Sequence, residues 1–203
     1  ITKKTFKKWR ILKNFSKKIF SCFDLCLSSS KESQNNLSQL GAKKILFYGN
    51  LKFSVQDKSL KIKKENKEIF DKKKVWLASS THEGEELISI KTHILLKKNY
   101  NNILTIIAPR HISRVKKISY LVEKMNLNCQ ILNDKDLINK NAEIILINSF
   151  GVLNKYFDYC KSVFIGKSLI KKLISEGGQN PIEAVRQGCK IYHGPFVYNF
   201  DEV

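Results

Sequence analysis

The sequence predicts an α/β fold, a doubly wound parallel β-sheet preceded by a smaller strand, helix and strand unit. From Val75 onward, short apolar runs alternate with stretches of helical periodicity. The apolar runs do not alternate polar and apolar residues, which is typical of strands covered by helices on both faces. This succession favours a parallel sheet, whose ligands bind outside the carboxyl ends of its strands.

The composition indicates a basic chain with a core of its own. At 203 residues the chain is long enough to bury most of its apolar surface, and its formal net charge is +19. This charge suits nucleic acid, an anionic membrane, an acidic substrate or simply a solvated surface. Only four of the 37 basic residues are arginines, and arginine is favoured for reading base edges, so we expect no nucleic-acid partner.

The five cysteines predict neither a disulfide framework nor a zinc cluster, because they are odd in number and form no CxxC pair. A reducing, cytoplasmic setting fits this usage. No apolar run approaches the roughly 18 residues that a membrane span requires. We expect the chain, which begins with Ile1 and ends with Val203, to be a fragment of a longer protein.

The first unit, residues 1–53, opens with a basic amphipathic helix at residues 3–20, because aromatic and aliphatic residues recur there at helical spacing among lysines. Such a helix lies on an anionic membrane or docks on its own domain, and the pattern leaves both open. The elements predicted next are a strand at 23–28, a helix with a capping box (Ser29 and Glu32) and a stop at Gly41, and a strand at 45–49.

Residues 54–74 are polar and rich in lysine, and they predict an interdomain linker that carries one short helix. Residues 75–203 predict the main α/β lobe. Its predicted strands are 75–79, 103–109, 128–132, 143–148, 161–166 and 190–194. Its predicted helices are 85–98, 111–125, 150–158 and 181–188.

Four loops rich in polar residues and glycine follow these strands. They are SSTHEGEE (79–86), APRH (108–111), NSFG (148–151) and EGGQNPIE (176–183). Because loops at the carboxyl ends of parallel strands emerge at one edge of the sheet, we expect the four to converge on one crevice. This convergence is the main functional signal in the sequence.

The last of these loops predicts a helix start that can receive an anion. Asn180 suits the N-cap, Pro181 suits the first helical position, and Gly177 and Gly178 let the backbone approach a ligand. A phosphate at such a helix end gains from the dipole and from free N–H groups. Glu183 either completes the cap or accepts hydrogen bonds from sugar hydroxyls, and a well-capped helix without a ligand explains the pattern as well.

The HEGEE stretch does not predict a zinc protease, because the second histidine would stand at the position of Glu86. We expect at least two of its three acids to lie in the first turn of a helix, where carboxylates suit the helix dipole. Arg110, which follows a strand, is a candidate for gripping a phosphate with two hydrogen bonds, and a surface salt bridge is the alternative.

Five motifs, in this order, resemble those of bacterial 3-deoxy-D-manno-octulosonic acid (Kdo) transferases. They are YGNLKF (48–53), VWLASSTHEGEE (75–86), IIAPRH (106–111), GGQNPIEA (177–184) and GPFVYNF (194–200). The resemblance implies the two-lobed GT-B glycosyltransferase fold. Residues 1–53 would end the N-terminal, acceptor-binding lobe, and residues 75–203 would form most of the Rossmann-like C-terminal lobe that binds CMP-Kdo.

The resemblance also implies an activity. The family moves Kdo from CMP-Kdo to a lipid A precursor (lipid IVA) in lipopolysaccharide core synthesis, at the cytoplasmic face of the inner membrane. The reaction is inverting, needs no metal and uses no cofactor besides its donor substrate. The partners implied are therefore CMP-Kdo, the lipid A precursor and the anionic surface of the inner membrane.

Site residues follow from the resemblance by position. Residues implied to contact the donor nucleotide are Pro109, Arg110, Gly151, Leu153, Asn180 and Glu183. Residues implied to face the cleft and the donor sugar are Ser80, Thr81 and Glu85. The sequence departs from the family at Gln179, where histidine is usual, and at 196–198, where His-Thr-Phe is common. We expect these changes to bear on substrate positioning rather than on the fold.

The resemblance places no catalytic residue in this chain, because the glutamate that acts as general base lies in the part of the N-terminal lobe that precedes it. We therefore expect the chain to bind CMP weakly and not to turn over. Two other functions fit the residues: a GT-B transferase for another nucleotide sugar, and a basic module that binds RNA or DNA.

Overall fold

The structure is a computed structural model that describes residues 1, 3–49, 62–171 and 177–200. The chain divides into two compact units, Ile1–Gln56 and Asp57–Val203. Part of the predicted linker (residues 54–61), the end of the YGNLKF motif (50–53) and Glu176 lie outside the described residues.

The smaller unit has the predicted strand, helix and strand. Its elements are α1 (Lys3–Ile11), α2 (Lys13–Ser21), β1 (Cys26–Ser28), α3 (Lys31–Gln39) and β2 (Ile45–Phe47). Strands β1 and β2 pair in parallel. Helix α3 connects them, as a crossover between parallel strands requires.

The prediction of a single helix at residues 3–20 is wrong, because the helix is interrupted at Leu12, whose backbone is not helical (φ −102°, ψ 55°). The ring of Trp9 lies 5.4 Å from that of Phe20 and 6.3 Å from that of Phe15, measured between centroids. In a straight helix, Trp9 and Phe20 would be about 16 Å apart along the axis. The break therefore lets the aromatic side chains of α1 and α2 pack on one another.

The cap of α3 also differs from the prediction. Ser30, not Ser29, is the N-cap residue, and its hydroxyl accepts a hydrogen bond from the N–H of Ser33 (3.0 Å). The helix ends before Gly41, as predicted. Gly41 has φ +102°, and the N–H of Ala42 returns to the carbonyl of Leu37 (3.1 Å), which is the pattern of a glycine stop.

The larger unit is the predicted doubly wound α/β domain. Its strands are β3 (Lys74–Thr81), β4 (Ile103–Pro109), β5 (Cys129–Leu132), β6 (Ile144–Ile147), β7 (Ser162–Ile165) and β8 (Lys190–His193). Its helices are α4 (Lys64–Lys72), α5 (Glu85–Lys97), α6 (Val115–Glu123), α7 (Asn154–Phe157) and α8 (Ile182–Arg186). All strands are parallel, in the order β5-β6-β4-β3-β7-β8.

Apolar side chains cover both faces of this sheet. On one face, Leu77 and Ile106 pack with Phe70 of α4 and with residues of α7 and α8. On the other face, Ala78 and Ile107 pack with residues of α5 and α6. Every residue of β4 is buried, which explains why its sequence shows no polar and apolar alternation.

Helix α4 belongs to the larger unit, although it lies within the segment that we interpreted as a linker. Phe70 is only 3% exposed. The side chain of Asn66 donates to the carbonyl of Asp136 (3.0 Å) and accepts from the N–H of Ile138 (2.8 Å). The domain therefore begins before Val75, because α4 covers part of its core.

Three helices of the larger unit are clearly shorter than predicted. The helix predicted at 150–158 spans only Asn154–Phe157. A 3-10 turn (Ile112–Arg114) precedes α6 within the helix predicted at 111–125. The helix predicted at 181–188 has only five residues, since Gly188 takes φ +74° and the N–H of Cys189 returns to the carbonyl of Ala184 (3.1 Å). The dipole of a helix this short is small, because few peptide units add to it.

The connections define where a ligand would bind. From β3 the chain continues to β4 on one side of the sheet, and from β7 it continues to β8 on the other. The carboxyl ends of β3 and β7 therefore flank the topological switch point, which is where α/β sheets of this kind hold their ligands.

Within the stretches that the structure describes, no helix combines the length and the apolar character needed to cross a bilayer.

Candidate functional site

The loops after β3 and β4 meet at the carboxyl edge of the sheet. Thr81 and Pro109 are register partners, and the N–H of Arg110 donates to the carbonyl of Thr81 (2.9 Å). The rings of His82 and His111 lie edge to face, with centroids 5.9 Å apart. The backbone of Arg110 is thus fixed, and its side chain is exposed.

The loop after β3 also approaches the turn that follows β7. Ser80 forms a bulge in β3 with φ +53°, a conformation that is uncommon for residues other than glycine. A Cβ atom at Gly166 would lie 2.7 Å from the Cα of Thr81, so only glycine fits there. The N–H of Gly166 donates to the carbonyl of Ser79 (2.8 Å). At the switch point, the backbones that follow β3 and β7 are therefore closely packed.

The carboxylate of Glu85, the first residue of α5, lies at the centre of this arrangement. Glu85 is fully buried. One carboxylate oxygen accepts from the N–H groups of His82 (2.8 Å) and Lys167 (2.7 Å). The other accepts from those of Ser168 (2.9 Å) and Leu169 (3.0 Å). A buried carboxylate is satisfied here by backbone donors from two loops.

We call residues 166–169 the β7 turn and residues 177–181 the glycine loop. Lys167 has φ +61°. Its carbonyl accepts from the N–H of Gly178 (2.8 Å), and the carbonyl of Gly166 accepts from the N–H of Gln179 (3.2 Å). The side chain of Gln179 reaches His82, with 3.4 Å between their Nε2 atoms. The glycine loop is thus attached to the β7 turn and lies beside the loop after β3.

The GPFVYNF segment after β8 joins the same edge. The hydroxyl of Ser168, which is fully buried, accepts from the N–H of Gly194 (2.9 Å), and the Ser168 carbonyl accepts from the N–H of Phe196 (2.9 Å). A Cβ atom at Gly177 would lie 3.0 Å from the backbone nitrogen of Tyr198. The loops after β3, β4, β7 and β8 therefore form one hydrogen-bonded assembly.

A second buried carboxylate holds the loop after β4. Glu86 is 2% exposed and accepts two hydrogen bonds from the guanidinium of Arg114, at 2.6 and 3.0 Å. It also accepts from the hydroxyl of Thr81 (3.1 Å). Arg114 lies just before α6, so this ion pair joins the starts of α5 and α6.

The glycine loop leads into α8 as the sequence predicted, but with a smaller helix. The side-chain oxygen of Asn180 accepts from the N–H of Ile182 (3.1 Å). Glu183 lies in the first turn of α8 and is half-buried. The N-cap position is Pro181, one residue later than predicted. Asn180 still supports the start of the helix through its side-chain oxygen, which accepts from Ile182.

The loop after β6 contacts a different part of the edge. Its Asn148 donates its N–H to the carbonyl of Leu132 (2.9 Å) and its side-chain amide to Asn133 (2.9 Å), at the end of β5. Gly151 is exposed with φ +72°, and Leu153 packs against the core. Hydrogen bonds therefore join this loop to β5, on the far side of β6 from β4 and β3.

The structure corrects two of the predicted cleft residues. Thr81 and Glu85 are fully buried, and their side chains bind Glu86 and backbone N–H groups. Their role in the structure is to hold loops, because no part of either residue reaches solvent. Ser80, which is half-buried, remains at the surface of the switch point.

The sequence did not identify Gly166, Lys167 and Ser168 as residues that hold the loops together at this edge. The Gly-Lys-Ser stretch directly after a strand was the available signal, but nothing in it identifies Glu85, more than 80 positions earlier, as its partner. The placement of Glu85 and Glu86 in the first turn of α5 was predicted.

A separate polar cluster lies at the amino ends of the strands. Burial lowers the pKa of His93 and of Lys73. Burial would raise the pKa of Glu143, but hydrogen bonds from Lys97 and from the N–H of Asn128 lower it overall. Four of these residues (Lys73, Lys97, Asn128 and Glu143) line a cavity of about 310 Å³. A larger cavity, of about 1050 Å³, shares Lys73 with it. None of the predicted site residues lines either cavity.

Comparison with known proteins supports the motif resemblance in both units. Residues 1–55 match the family model for "3-Deoxy-D-manno-octulosonic-acid transferase (kdotransferase)". The 3-deoxy-D-manno-octulosonic acid transferase of Haemophilus influenzae is 33% identical over 129 residues, which is 64% of this chain and 29% of that protein. The Aquifex aeolicus protein of the same name is 27% identical over 182 residues, 89% of this chain and 46% of its own length.

The fold has a solved counterpart. The C-terminal CMP-Kdo binding domain of WaaA from Acinetobacter baumannii superimposes with a TM-score of 0.59 and 22% identity, covering 66% of this chain and 67% of that domain. At this identity the likeness supports the fold alone. The chain spans less than half the length of the two sequence relatives. It is similar, over part of their length, to the 3-deoxy-D-manno-octulosonic acid transferases.

Proposed function

We propose that this chain is the donor-binding part of a glycosyltransferase that moves Kdo from CMP-Kdo to a lipid A precursor in lipopolysaccharide synthesis. The observation that carries the proposal is the assembly at the switch point, where loops after β3, β4, β7 and β8 are joined by hydrogen bonds around Glu85. The Aquifex aeolicus relative that is named a 3-deoxy-D-manno-octulosonic acid transferase matches most of the chain, which supports the choice of substrate.

The donor nucleotide would contact residues at the surface of this assembly. Arg110 has a fixed backbone and an exposed guanidinium, and it would bind the phosphate with two hydrogen bonds. Pro109 would pack beside the nucleotide. Asn180 and Glu183, at the start of α8, would accept bonds from ribose hydroxyls, with the Asn180 oxygen also accepting from the N–H of Ile182.

Gly151 and Leu153 would flank the nucleotide from the loop after β6, and Ser80 would face the donor sugar. We assign Thr81 and Glu85 a supporting role, because both are buried beneath that surface. Both the sugar carboxylate and the phosphate of CMP-Kdo are anionic, so the guanidinium of Arg110 suits the donor.

The reaction also needs a general base, which in our proposal is not a residue of this chain. A carboxylate in the preceding part of the N-terminal lobe would deprotonate the acceptor hydroxyl, which attacks the anomeric carbon of Kdo with inversion while CMP leaves. Negative charge grows on the leaving phosphate. Arg110 would stabilise that charge, without a metal ion.

The acceptor lies on a membrane, and the smaller unit has a surface suited to one. Ile11 is 81% exposed, and Leu12 and Phe15 are more than half exposed, next to the basic faces of α1 and α2. Basic residues beside exposed apolar side chains favour an anionic lipid surface. We propose that the protein works at the cytoplasmic face of the inner membrane. Flotation with anionic and neutral vesicles tests this, and equal binding to both would contradict it.

Calorimetry with CMP, UMP and UDP tests the donor assignment. We expect the chain to prefer CMP, and we expect Arg110→Ala to weaken binding by about 1.5 to 3 kcal/mol, because a hydrogen bond to a charged group is lost. Glu183→Ala should also weaken CMP binding. Lys116→Ala, an exposed lysine of α6, serves as the charge-matched control. A preference for UDP would assign the site to another nucleotide sugar.

A further inference from the structure

The carboxylate of Glu85 does more than close the end of a helix. Its hydrogen bonds reach across to the β7 turn, 82 to 84 residues later in the chain. Three of its four backbone donors belong to that turn. A helix cap would require only local donors, so this geometry points to a role in shaping the turn.

The β7 turn needs such support. Lys167 takes the left-handed conformation (φ +61°), which is unfavourable for a residue with a side chain. Its N–H is held by Glu85 at 2.7 Å, and its carbonyl accepts from Gly178 at 2.8 Å. Lys167 therefore links Glu85 to the glycine loop, which it contacts at Gly178, two residues before Asn180.

We propose that Glu85 is a positioning residue for the donor nucleotide: its buried carboxylate holds the β7 turn in the conformation that presents the glycine loop. The role rests on the proposed function, since it assumes that the nucleotide binds beside Asn180. Glu85 touches no substrate. It acts through Lys167 and Gly178.

Ser168 extends the same support to the segment after β8. Its N–H binds Glu85 (2.9 Å), while its hydroxyl and carbonyl receive the N–H groups of Gly194 and Phe196 (2.9 Å each). A Cβ atom at Gly194 would lie 2.5 Å from the Cα of Leu169, so the two backbones are in close contact. One carboxylate thus sets the position of two loops.

The charge and shape of Glu85 are both required. A glutamine has the same size but only one acceptor oxygen, and its amide group would face two of the four N–H donors. Two N–H donors that face this buried side chain would then lack an acceptor, which is a costly arrangement for polar groups shielded from water. Glu85→Gln should therefore release the β7 turn without leaving a cavity.

The test compares Glu85→Gln with Glu86→Gln in the whole chain. Both variants remove a buried carboxylate from the first turn of α5, but Glu86 binds Arg114 and Thr81 rather than the β7 turn. Amide hydrogen exchange, read residue by residue by NMR, and CMP affinity, read by calorimetry, are measured on each. Glu85→Asp, which keeps the charge and shortens the reach, is the second variant, and we expect it to loosen the same amides to a smaller extent.

We expect Glu85→Gln to speed exchange at Lys167, Ser168, Leu169 and Gly178 by roughly tenfold or more, and to weaken CMP binding by a similar factor. Exchange in the centre of β4, at Ile106, should stay unchanged, which separates local release from general destabilisation. Glu86→Gln should leave the four amides protected.

Two results would overturn the role of Glu85. One is unchanged protection of the β7 turn in Glu85→Gln, and the other is faster exchange there with CMP affinity within about twofold of the original chain. If the original chain binds no CMP at all, the proposed function fails, and the positioning role toward the nucleotide fails with it. If the original chain binds CMP and Glu85→Gln binds it equally well, only the role of Glu85 is rejected, and the proposed function stands.

Discussion

The ion pair between Glu86 and Arg114 offers a sharp test of how the site is supported. Glu86 is 2% exposed, and both of its oxygens bind the guanidinium. Arg114→Ala would leave the carboxylate buried with the hydroxyl of Thr81 as its remaining partner in the hydrogen bonds described above. An uncompensated buried charge is costly, so we expect a large loss of stability.

The magnitude follows from the burial of the pair. Removing one partner of a buried ion pair costs about 3 to 5 kcal/mol. The side chain of Arg114 is 20% exposed, so water can reach part of the pair, and we expect about 3 kcal/mol, the lower end of that range. For a domain of this size, that loss corresponds to a fall in Tm of about 6 to 12 °C.

Scanning calorimetry of the chain measures this loss, and Lys117→Ala is the matched control. Lys117 pairs with Glu83 at 2.8 Å, across the same two helix starts, but both side chains are about two-thirds exposed (66% and 68%). Such an exposed pair contributes at most about 1 kcal/mol. A fall in Tm for Arg114→Ala no larger than that for Lys117→Ala would refute the reasoning.

Three further predictions concern other parts of the chain. Gly166→Ala should cost about 1 to 3 kcal/mol in urea unfolding, because its Cβ meets Thr81; an unchanged midpoint would contradict the close contact. Burial lowers the pKa of His93 below its ordinary 6.5, so the unfolded chain binds the proton more readily than the folded chain. The free energy of unfolding should therefore fall as the pH drops below 6.5, and it should fall less in His93→Gln. Ser30→Ala should lower stability by about 1 kcal/mol and Ser29→Ala should not, if Ser30 caps α3.

Much of the fold could be predicted from the sequence because its signals are local. The apolar runs of β4 and β6 lie almost where they were predicted, since strands buried on both faces must be apolar throughout. The break at Leu12 could not be predicted, because it depends on Trp9 packing against Phe20 after the chain turns back. Periodicity records which residues are apolar, and it contains no information about which of them meet.

The candidate site was predictable in its location and less so in its chemistry. Parallel strands bring Thr81 and Pro109 to one edge whatever their side chains do. Whether an acid such as Glu85 faces a ligand or binds backbone groups depends on partners more than 80 residues away, and such partners are set by tertiary packing. The sequence therefore located the edge and misassigned two of its buried residues.

Mapping CMP onto the amide resonances of the labelled chain by NMR tests the central claim most directly. We predict that CMP shifts the resonances of Arg110, Gln179 and the β7 turn, at the carboxyl ends of β3, β4 and β7. Shifts confined to Lys73, Lys97 and Lys140, which line the polar cavity at the amino ends of the strands, would contradict the claim, as would the absence of any shift at millimolar CMP.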